Sequence, residues 1–228
     1  MSELLTAVDV GVERGEQVLF RQVNLTLVAG ELVQLTGSNG CGKTTLLRIL
    51  AGLGTADAGE LFWCGVPLAR QRQLLREQSL YIGHKPGISA ELTPVENLCF
   101  LAGLQQPVSR QRALQALTDI GLEARVDVPC RVLSAGQKRR VALARLGFSK
   151  ARLWILDEPL TALDLQARSW LELQLQQHIE QGNAALVSTH TLLDIELGGQ
   201  RCLRLQADGL SDCKSALATA DCAGRKSL

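Results

Sequence analysis

Gly37-Ser38-Asn39-Gly40-Cys41-Gly42-Lys43-Thr44 is the stretch of this sequence that decides the fold. It fits the pattern of phosphate-binding loops: a glycine, four residues of any kind, then glycine, lysine and a hydroxyl residue. The apolar run from Leu32 to Thr36 predicts a compact strand before the loop, and a helix is expected from about Lys43 to Ala51, where Gly52 ends it. This order of strand, loop and helix predicts a nucleotide site at the end of a strand.

The chemistry of this loop suits nucleotide phosphates. Its glycines let backbone N–H groups point at phosphate oxygens, and the start of the next helix adds a favourable dipole. Lys43 supplies positive charge for the β and γ phosphates, and the Thr44 hydroxyl can bind Mg²⁺. An accidental glycine-rich turn is the alternative, and the motif alone also fits kinases, GTPases and many ATPases. The residues predicted to hold the nucleotide are Gly37, Ser38, Asn39, Gly40, Cys41, Gly42, Lys43, Thr44 and Thr45.

Two acids close a second apolar strand. The run Arg152 to Leu156 leads into Asp157 and Glu158, and a buried strand delivers its last side chains to the sheet edge where ligands bind. We expect Asp157 to hold Mg²⁺ through a water and Glu158 to be the general base that polarises the attacking water. Two solvated acids that cap a turn are the alternative.

His190 follows a further apolar strand that ends at Ser188. We expect its imidazole to contact the γ phosphate or to steady the water beside Glu158. A lone histidine is more often structural, and it is the position at the end of a core strand that favours a functional role here.

Leu133-Ser134-Ala135-Gly136-Gln137 indicates a second anion site. Ser134 is a good N-cap, and Gly136 lets a phosphate approach the backbone closely. The N–H groups of a helix start, together with the Ser134 hydroxyl, can bind a phosphate. Because the chain already has one phosphate loop, this second site makes sense if it reaches the γ phosphate held by another copy. Ser134, Gly136 and Gln137 are therefore predicted to bind nucleotide.

The remaining pattern predicts an α/β fold with a mainly parallel sheet flanked by helices. Strand patterns fill the first thirty residues and return from Gly59 to Trp63, and helical spacing dominates from about residue 84 to residue 150. The helical block is expected to form a lobe beside the sheet, and a short helix is expected after His190. Residues 207–228 are rich in Ala, Ser, Asp and Lys without clear periodicity, and are expected to form a mobile tail.

The bulk composition excludes several classes. A net charge of +1, from 24 basic and 23 acidic residues, argues against a nucleic-acid binder that relies on a strong positive field. No stretch approaches the roughly 18 apolar residues that cross a bilayer, and no secretory signal is visible. We therefore expect a cytoplasmic protein whose membrane role depends on a partner. The seven cysteines form no close CxxC pair, which favours reduced thiols over a zinc site.

With these motifs in order, the chain resembles the nucleotide-binding domain of ABC transporters over about Leu4 to Leu205. The run Leu133 to Gln137 is similar to the family's LSGGQ signature, with alanine in place of the first glycine. Thr161-Ala162-Leu163-Asp164 is similar to the D-loop, and His190 to the switch histidine.

The resemblance implies a P-loop ATPase domain over residues 1–206, with an N-terminal antiparallel subdomain and an inserted helical one at about residues 84–150. It also implies a head-to-tail homodimer that encloses two ATP molecules with Mg²⁺. Each ATP would lie between Lys43 of one copy and Ser134 of the other, and hydrolysis would separate the pair and drive a membrane partner.

Two positions depart from the family pattern. His84 stands where the family has the Q-loop glutamine, which senses Mg²⁺ and couples the site to the membrane subunit. His84 is therefore predicted near the metal with Thr44 and Asp157. The aromatic residue that stacks on adenine is also missing near Glu13, and Arg14 could stack in its place.

Within the family, Tyr81 to Ile88 and the LSAGQ form of the signature resemble the ATP-binding subunits of cytochrome c biogenesis heme exporters. That resemblance implies a heme-transporting class of ATPase on the cytoplasmic face of the bacterial inner membrane. Its partners would be the integral membrane subunit CcmB and further maturation proteins. The alternatives are an ATPase of another exporter, such as a lipoprotein-release system, a soluble non-transport ABC ATPase, and a non-catalytic nucleotide sensor. The sequence shows no heme site of its own.

Overall fold

The computed structural model describes residues 2–15, 17–103, 107–193, 195 and 197–213. Its helices are α1 Lys43–Leu50, α2 Arg72–Gln78, α3 Pro94–Gly103, α4 Arg110–Asp119, α5 Ala135–Leu143 and α6 Leu165–Glu180. Its strands are β1 Glu3–Arg14, β2 Gln17–Val28, β3 Leu32–Thr36, β4 Ala58–Trp63, β5 Val66–Pro67, β6 Ser79–Ile82, β7 Leu153–Asp157, β8 Ala184–Ser188, β9 Gln200–Gln206 and β10 Gly209–Asp212.

The N-terminal strands form an antiparallel sheet in the order β2-β1-β4-β5. Alternation along β1 and β2 sends Val10, Phe20 and Val23 into the core, where they meet Trp63 of β4. The predicted antiparallel subdomain is confirmed.

The second sheet has the order β10-β9-β3-β8-β7-β6, and every pair in it is parallel except β9 with β10. Every residue of β7 and β8 is buried, as continuous apolar strands covered on both faces require. The parallel strands β3, β7 and β8 therefore end at one edge, where the glycine-rich loop, the two acids and His190 follow them. The α/β prediction is confirmed.

The helices α3, α4 and α5 come between β6 and β7 in the chain and share one core. Capping residues set their starts: Ser109 accepts a hydrogen bond from the backbone N–H of Arg112, and Thr93 exchanges bonds with Glu96. This is the predicted helical lobe. Within the described residues, no helix is both long and apolar enough to cross a membrane.

Two predictions near the C-terminus are wrong. The expected tail from residue 207 includes β10, which pairs with β9 through a tight turn, and the backbone N–H of Arg21 donates to the carbonyl of Ala207. Four residues were too short a run to show an alternating pattern. The expected short helix after His190 is also absent from the described part of residues 191–199, where the N–H of Leu193 donates to the Gln34 side chain instead. The rest of the expected tail, residues 214–228, lies outside the described residues.

A histidine is buried between α6 and the parallel sheet. The ring of His178 stacks on Trp154 of β7, with centroids 3.7 Å apart and planes 10° apart. Its Nε2 lies 3.1 Å from the carbonyl oxygen of Ala184. Burial lowers the pKa of His178 to about 4, although the bond to the carbonyl favours the charged form. The imidazole is therefore a neutral part of the core.

Acidification is expected to destabilise the fold through His178. The unfolded chain protonates this imidazole below its ordinary pKa of 6.5, whereas the folded chain protonates it only near 4. Its stabilising effect is thus present above pH 6.5 and lost as the pH falls toward 4. Comparing pH 7 with pH 5, we expect His178→Phe to remove about 2 kcal/mol from the pH dependence of the unfolding free energy. Urea denaturation measures this quantity, and an equal pH dependence in both proteins would contradict the role given to His178.

Candidate active site

The glycine-rich loop between β3 and α1 can be built only with glycine at two of its positions. Gly37 has φ of +151° and Gly42 has φ of +100°, conformations that favour glycine. A Cβ on Gly37 would lie 2.8 Å from the Cys41 sulfur, and one on Gly42 would lie 2.9 Å from the Phe20 ring. The loop is therefore a closed curl of backbone directly before the N-terminus of α1.

The curl surrounds the buried ammonium of Lys43. Its Nζ donates to the carbonyl of Gly37 at 2.8 Å and to that of Ser38 at 3.1 Å. An ammonium has three donors, so two are used to fix the side chain within the loop and one is left for a phosphate oxygen. The charge of Lys43 therefore lies inside the loop, and its contact with a phosphate stays a prediction.

Thr44 and Asp157 meet, as the sequence predicted. The Thr44 hydroxyl donates to Oδ2 of Asp157 at 2.7 Å, and the Ser188 hydroxyl donates to Oδ1 at 2.7 Å. Asp157 is buried, so both of its oxygens are held by neutral donors. Ser188 was missed as a site residue, since a serine that ends a strand carries no motif.

Glu158 and His190 also meet. Oε1 of Glu158 lies 2.9 Å from Nε2 of His190, and Glu158 is the more sheltered of the two, with 24% of its side chain exposed against 50%. The backbone of Glu158 has φ of +49°, a conformation that is rare for a residue with a side chain and that occurs at functional sites. Its N–H donates to the Ser188 hydroxyl at 2.9 Å, which helps to hold the turn.

The predicted signature segment begins α5 with a full capping box. The Ser134 hydroxyl accepts from the N–H of Gln137 at 3.2 Å, and the Gln137 side chain accepts from the N–H of Ser134 at 3.0 Å. Ser134 is exposed, and the hydrogen bonds that the structure gives its side chain stay within its own helix start. This helix start is therefore open to an anion that the chain itself does not supply.

The segment after Glu158 is pressed against α5. A Cβ on Gly136 would lie 2.5 Å from the carbonyl oxygen of Ala162, so only glycine fits there. Arg140 forms an ion pair with Asp164, which also caps α6 by accepting from the N–H of Ala167 at 3.0 Å. The predicted signature and D-loop segments thus form one contact.

A cavity of about 870 Å³ opens beside the loop. Arg14, the residue proposed to stack on adenine, does not line it. The walls instead include residues 204–207 at the end of β9, of which Ala207 lay in the expected tail. The lining residues are Gln17, Val18, Leu19, Thr36, Gly37, Ser38, Gly40, Cys41, Thr189, His190, Arg204, Leu205, Gln206 and Ala207.

His84 lies exposed in the loop after β6. Its backbone carbonyl accepts a hydrogen bond from Nη1 of Arg139 at 3.4 Å. The role of its imidazole near a metal stays a prediction. In the described residues, no group of three or more His, Cys, Asp or Glu side chains could hold a metal ion. The Thr44 hydroxyl and the Asp157 carboxylate nevertheless fit Mg²⁺, which takes few protein oxygens and completes its shell with phosphates and water.

Comparison with known proteins agrees with this geometry. The family model described as ABC transporter matches residues 20–161. The cytochrome c biogenesis ATP-binding export protein CcmA of Pseudomonas putida KT2440 is 48% identical over 201 residues, which cover 88% of this chain and 96% of the relative. The protein of the same name from Escherichia coli K12 is 47% identical over 192 residues, covering 84% of this chain and 91% of the relative.

Two solved structures share the fold of this chain at lower sequence identity. An ATP-binding subunit of an ABC transporter superposes with a TM-score of 0.79 at 26% identity, covering 92% of this chain and 90% of that one. The ATP-binding cassette MJ0796, described as a post-hydrolysis dimer bound to ADP and Pi, has a TM-score of 0.79 at 23% identity, over 93% of this chain and 100% of that one.

Proposed function

The chain belongs to the ABC transporter family, and we propose that its site hydrolyses ATP between two copies of the chain and so energises a membrane partner. The observation that carries the catalytic part is the contact of Glu158 with His190 beside the hydrogen-bonded pair of Thr44 and Asp157. Asp157 ends β7 and Glu158 follows it, His190 follows β8, and Thr44 lies in the first turn of α1 after the phosphate loop.

Each group then has a chemical task. Lys43 and the N–H groups of the loop hold the β and γ phosphates. Thr44 and Asp157 would hold Mg²⁺, which would supply positive charge to neutralise the reacting phosphates. Glu158 takes a proton from the attacking water, and His190 orients the Glu158 carboxylate through its Nε2.

The exposed start of α5 supports a site shared by two copies. Its free N–H groups and the Ser134 hydroxyl can bind the γ phosphate that the partner copy holds on its own loop. Two copies arranged head to tail would complete two such sites, each with Lys43 on one side and Ser134 on the other. Gly136 and Gln137 would line the same contact.

We assign the complex to c-type cytochrome biogenesis. The two relatives that share almost half of their residues with this chain are named as export proteins of that process. The membrane partner would be CcmB with further maturation proteins, at the cytoplasmic face of the bacterial inner membrane, and the transported cargo would be heme handled by the partner. His84, whose carbonyl accepts from the same Arg139 side chain as the carbonyl of Asp157, would be the point of coupling.

Deletion of the gene is expected to abolish covalent heme staining of c-type cytochromes in membrane fractions. Reintroduced wild-type gene should restore the staining, and Glu158→Gln, produced at the same level, should not. Normal cytochromes c after deletion would remove the role in biogenesis and leave the ATPase standing. Restoration of the staining by Glu158→Gln would show that cytochrome biogenesis needs the protein but not ATP hydrolysis by it.

A further inference from the structure

Arg139, in the middle of α5, buries a guanidinium against backbone. The residue is 4% exposed, and none of the ion pairs formed among the described residues includes it. Its hydrogen bonds within the described part of the chain all go to carbonyl oxygens, from Nη1 to Gly83 at 2.6 Å and His84 at 3.4 Å, from Nη2 to Asp157 at 2.5 Å, and from Nε to Pro159 at 3.5 Å.

Two of these carbonyls lie on either side of Glu158. Asp157 immediately precedes it and Pro159 immediately follows it, so one planar fork binds the residues on both sides of Glu158. Glu158 is also the residue whose φ of +49° needs outside support. Arg139 is therefore placed to fix the direction in which the Glu158 carboxylate leaves the backbone.

The same fork reaches the loop after β6. Its Nη1 bonds to Gly83 and His84 tie that loop to the turn at Glu158 through a single side chain. The backbone of Arg139 belongs to α5, whose N-cap is Ser134. One residue thus joins the helix that meets the partner's nucleotide, the loop of His84, and the turn of the general base.

The electrostatics keep this fork charged. Burial lowers the pKa of Arg139, while the nearby Asp157 and Glu158 favour the protonated form. A guanidinium stays protonated in proteins even when its pKa is lowered, so the fork keeps all of its donors. A lysine at this position would retain the charge and lose the planar geometry that reaches several carbonyls at once.

We propose that Arg139 is a positioning residue for ATP hydrolysis, which holds Glu158 in its active orientation and moves it together with α5. The proposal rests on the proposed function, because it needs Glu158 to be the base. When the partner's nucleotide binds the start of α5, we expect the turn at Glu158 to move with that helix. Gly136 and Arg140 of the same helix also contact the segment that follows Glu158, at Ala162 and Asp164.

Arg139→Lys tests this with steady-state ATPase kinetics. We expect kcat to fall about 10- to 100-fold, because a misplaced catalytic group loses rate without losing substrate binding. KM for ATP should stay within about twofold, since the Lys43 loop is untouched. In a Glu158→Gln background, the same Arg139→Lys change should alter the residual rate by less than about twofold, because residues that act through one another are not additive.

Arg145→Lys is the matched control. Burial lowers the pKa of Arg145 as well, and it lies in the helical turn that follows α5. We expect its kcat to remain within about twofold of the wild type, as for a substitution that leaves the site intact. Thermal unfolding of every variant separates loss of fold from loss of rate.

Several results would overturn the proposal. One is a wild-type kcat in Arg139→Lys. Another is a reduction of kcat by the same factor in the wild-type and Glu158→Gln backgrounds. A third is a rise in KM without a change in kcat. Should Arg139→Lys fail to fold, Arg139→Gln is compared in the same two backgrounds. Failure of both variants to fold would show that the guanidinium supports the structure as a whole. A wild-type chain that does not hydrolyse ATP would remove the proposed function itself.

Discussion

Lys43→Ala is expected to lower ATP turnover by at least about 100-fold, as removal of one preorganised charge at a reacting phosphate does. The Lys43 ammonium is buried within the loop and fixed by the carbonyls of Gly37 and Ser38. The affinity for ATP should fall too, since the charge meets the phosphates in the ground state as well as in the transition state. Phosphate release assays measure the first quantity, and titration with a fluorescent ATP analogue measures the second.

Lys150→Ala provides the control, because Lys150 is an exposed lysine outside the loop. Its turnover and affinity should match the wild type. The Lys43 variant also leaves the Gly37 and Ser38 carbonyls without their donor, so its thermal unfolding must be compared before the loss is assigned to chemistry. Wild-type turnover in Lys43→Ala would remove the site from the glycine-rich loop.

Glu158→Gln should reduce turnover by about 10²- to 10⁴-fold, the range of a lost general base. The amide has the shape of the carboxylate and can stay beside His190, but it cannot take a proton from water. ATP should still bind, because the loop residues are unchanged. We therefore expect the variant to accumulate as an ATP-bound pair, visible as a dimer by light scattering with ATP and as a monomer without it.

Glu180→Gln, at the exposed end of α6, should behave as the wild type in both assays. A Glu158→Gln variant that stays monomeric with ATP would count against a site shared by two copies. A variant that hydrolyses ATP at the wild-type rate would instead show that another group is the base. The two halves of the proposal are thus tested separately.

Motifs in which neighbouring residues carry the chemistry could be predicted well. The glycine-rich loop, Asp157 and Glu158 belong to continuous stretches, and parallel strands place the ends of such stretches at one edge whatever the intervening chain does. The meeting of Glu158 with His190 followed from the same rule. The fold class was predictable for that reason, since buried apolar strands that alternate with helices have few other arrangements.

Contacts made through backbone could not be predicted. Among the described residues, Arg139 bonds to carbonyl oxygens, which every residue has, so no pairing of side-chain types in the sequence points to it. Arg204 and its neighbours reach the cavity only because β9 lies parallel to β3, a pairing between distant parts of the chain. The strand β10 was missed because its four residues carry too little pattern to distinguish a strand from a tail.

If the exposed start of α5 binds the nucleotide of a second copy, as proposed, the ATPase rate depends on how often two copies meet. In the proposed shared site, a chain that carries its loop on one side and Ser134 on another would have no complete site until a second copy binds. The ATPase rate per molecule is then expected to fall when the protein is diluted. A membrane subunit that holds two copies side by side would replace diffusion with a fixed effective concentration. The membrane complex would then control ATP hydrolysis by holding two copies together, because the distance between the copies sets how often two half-sites meet.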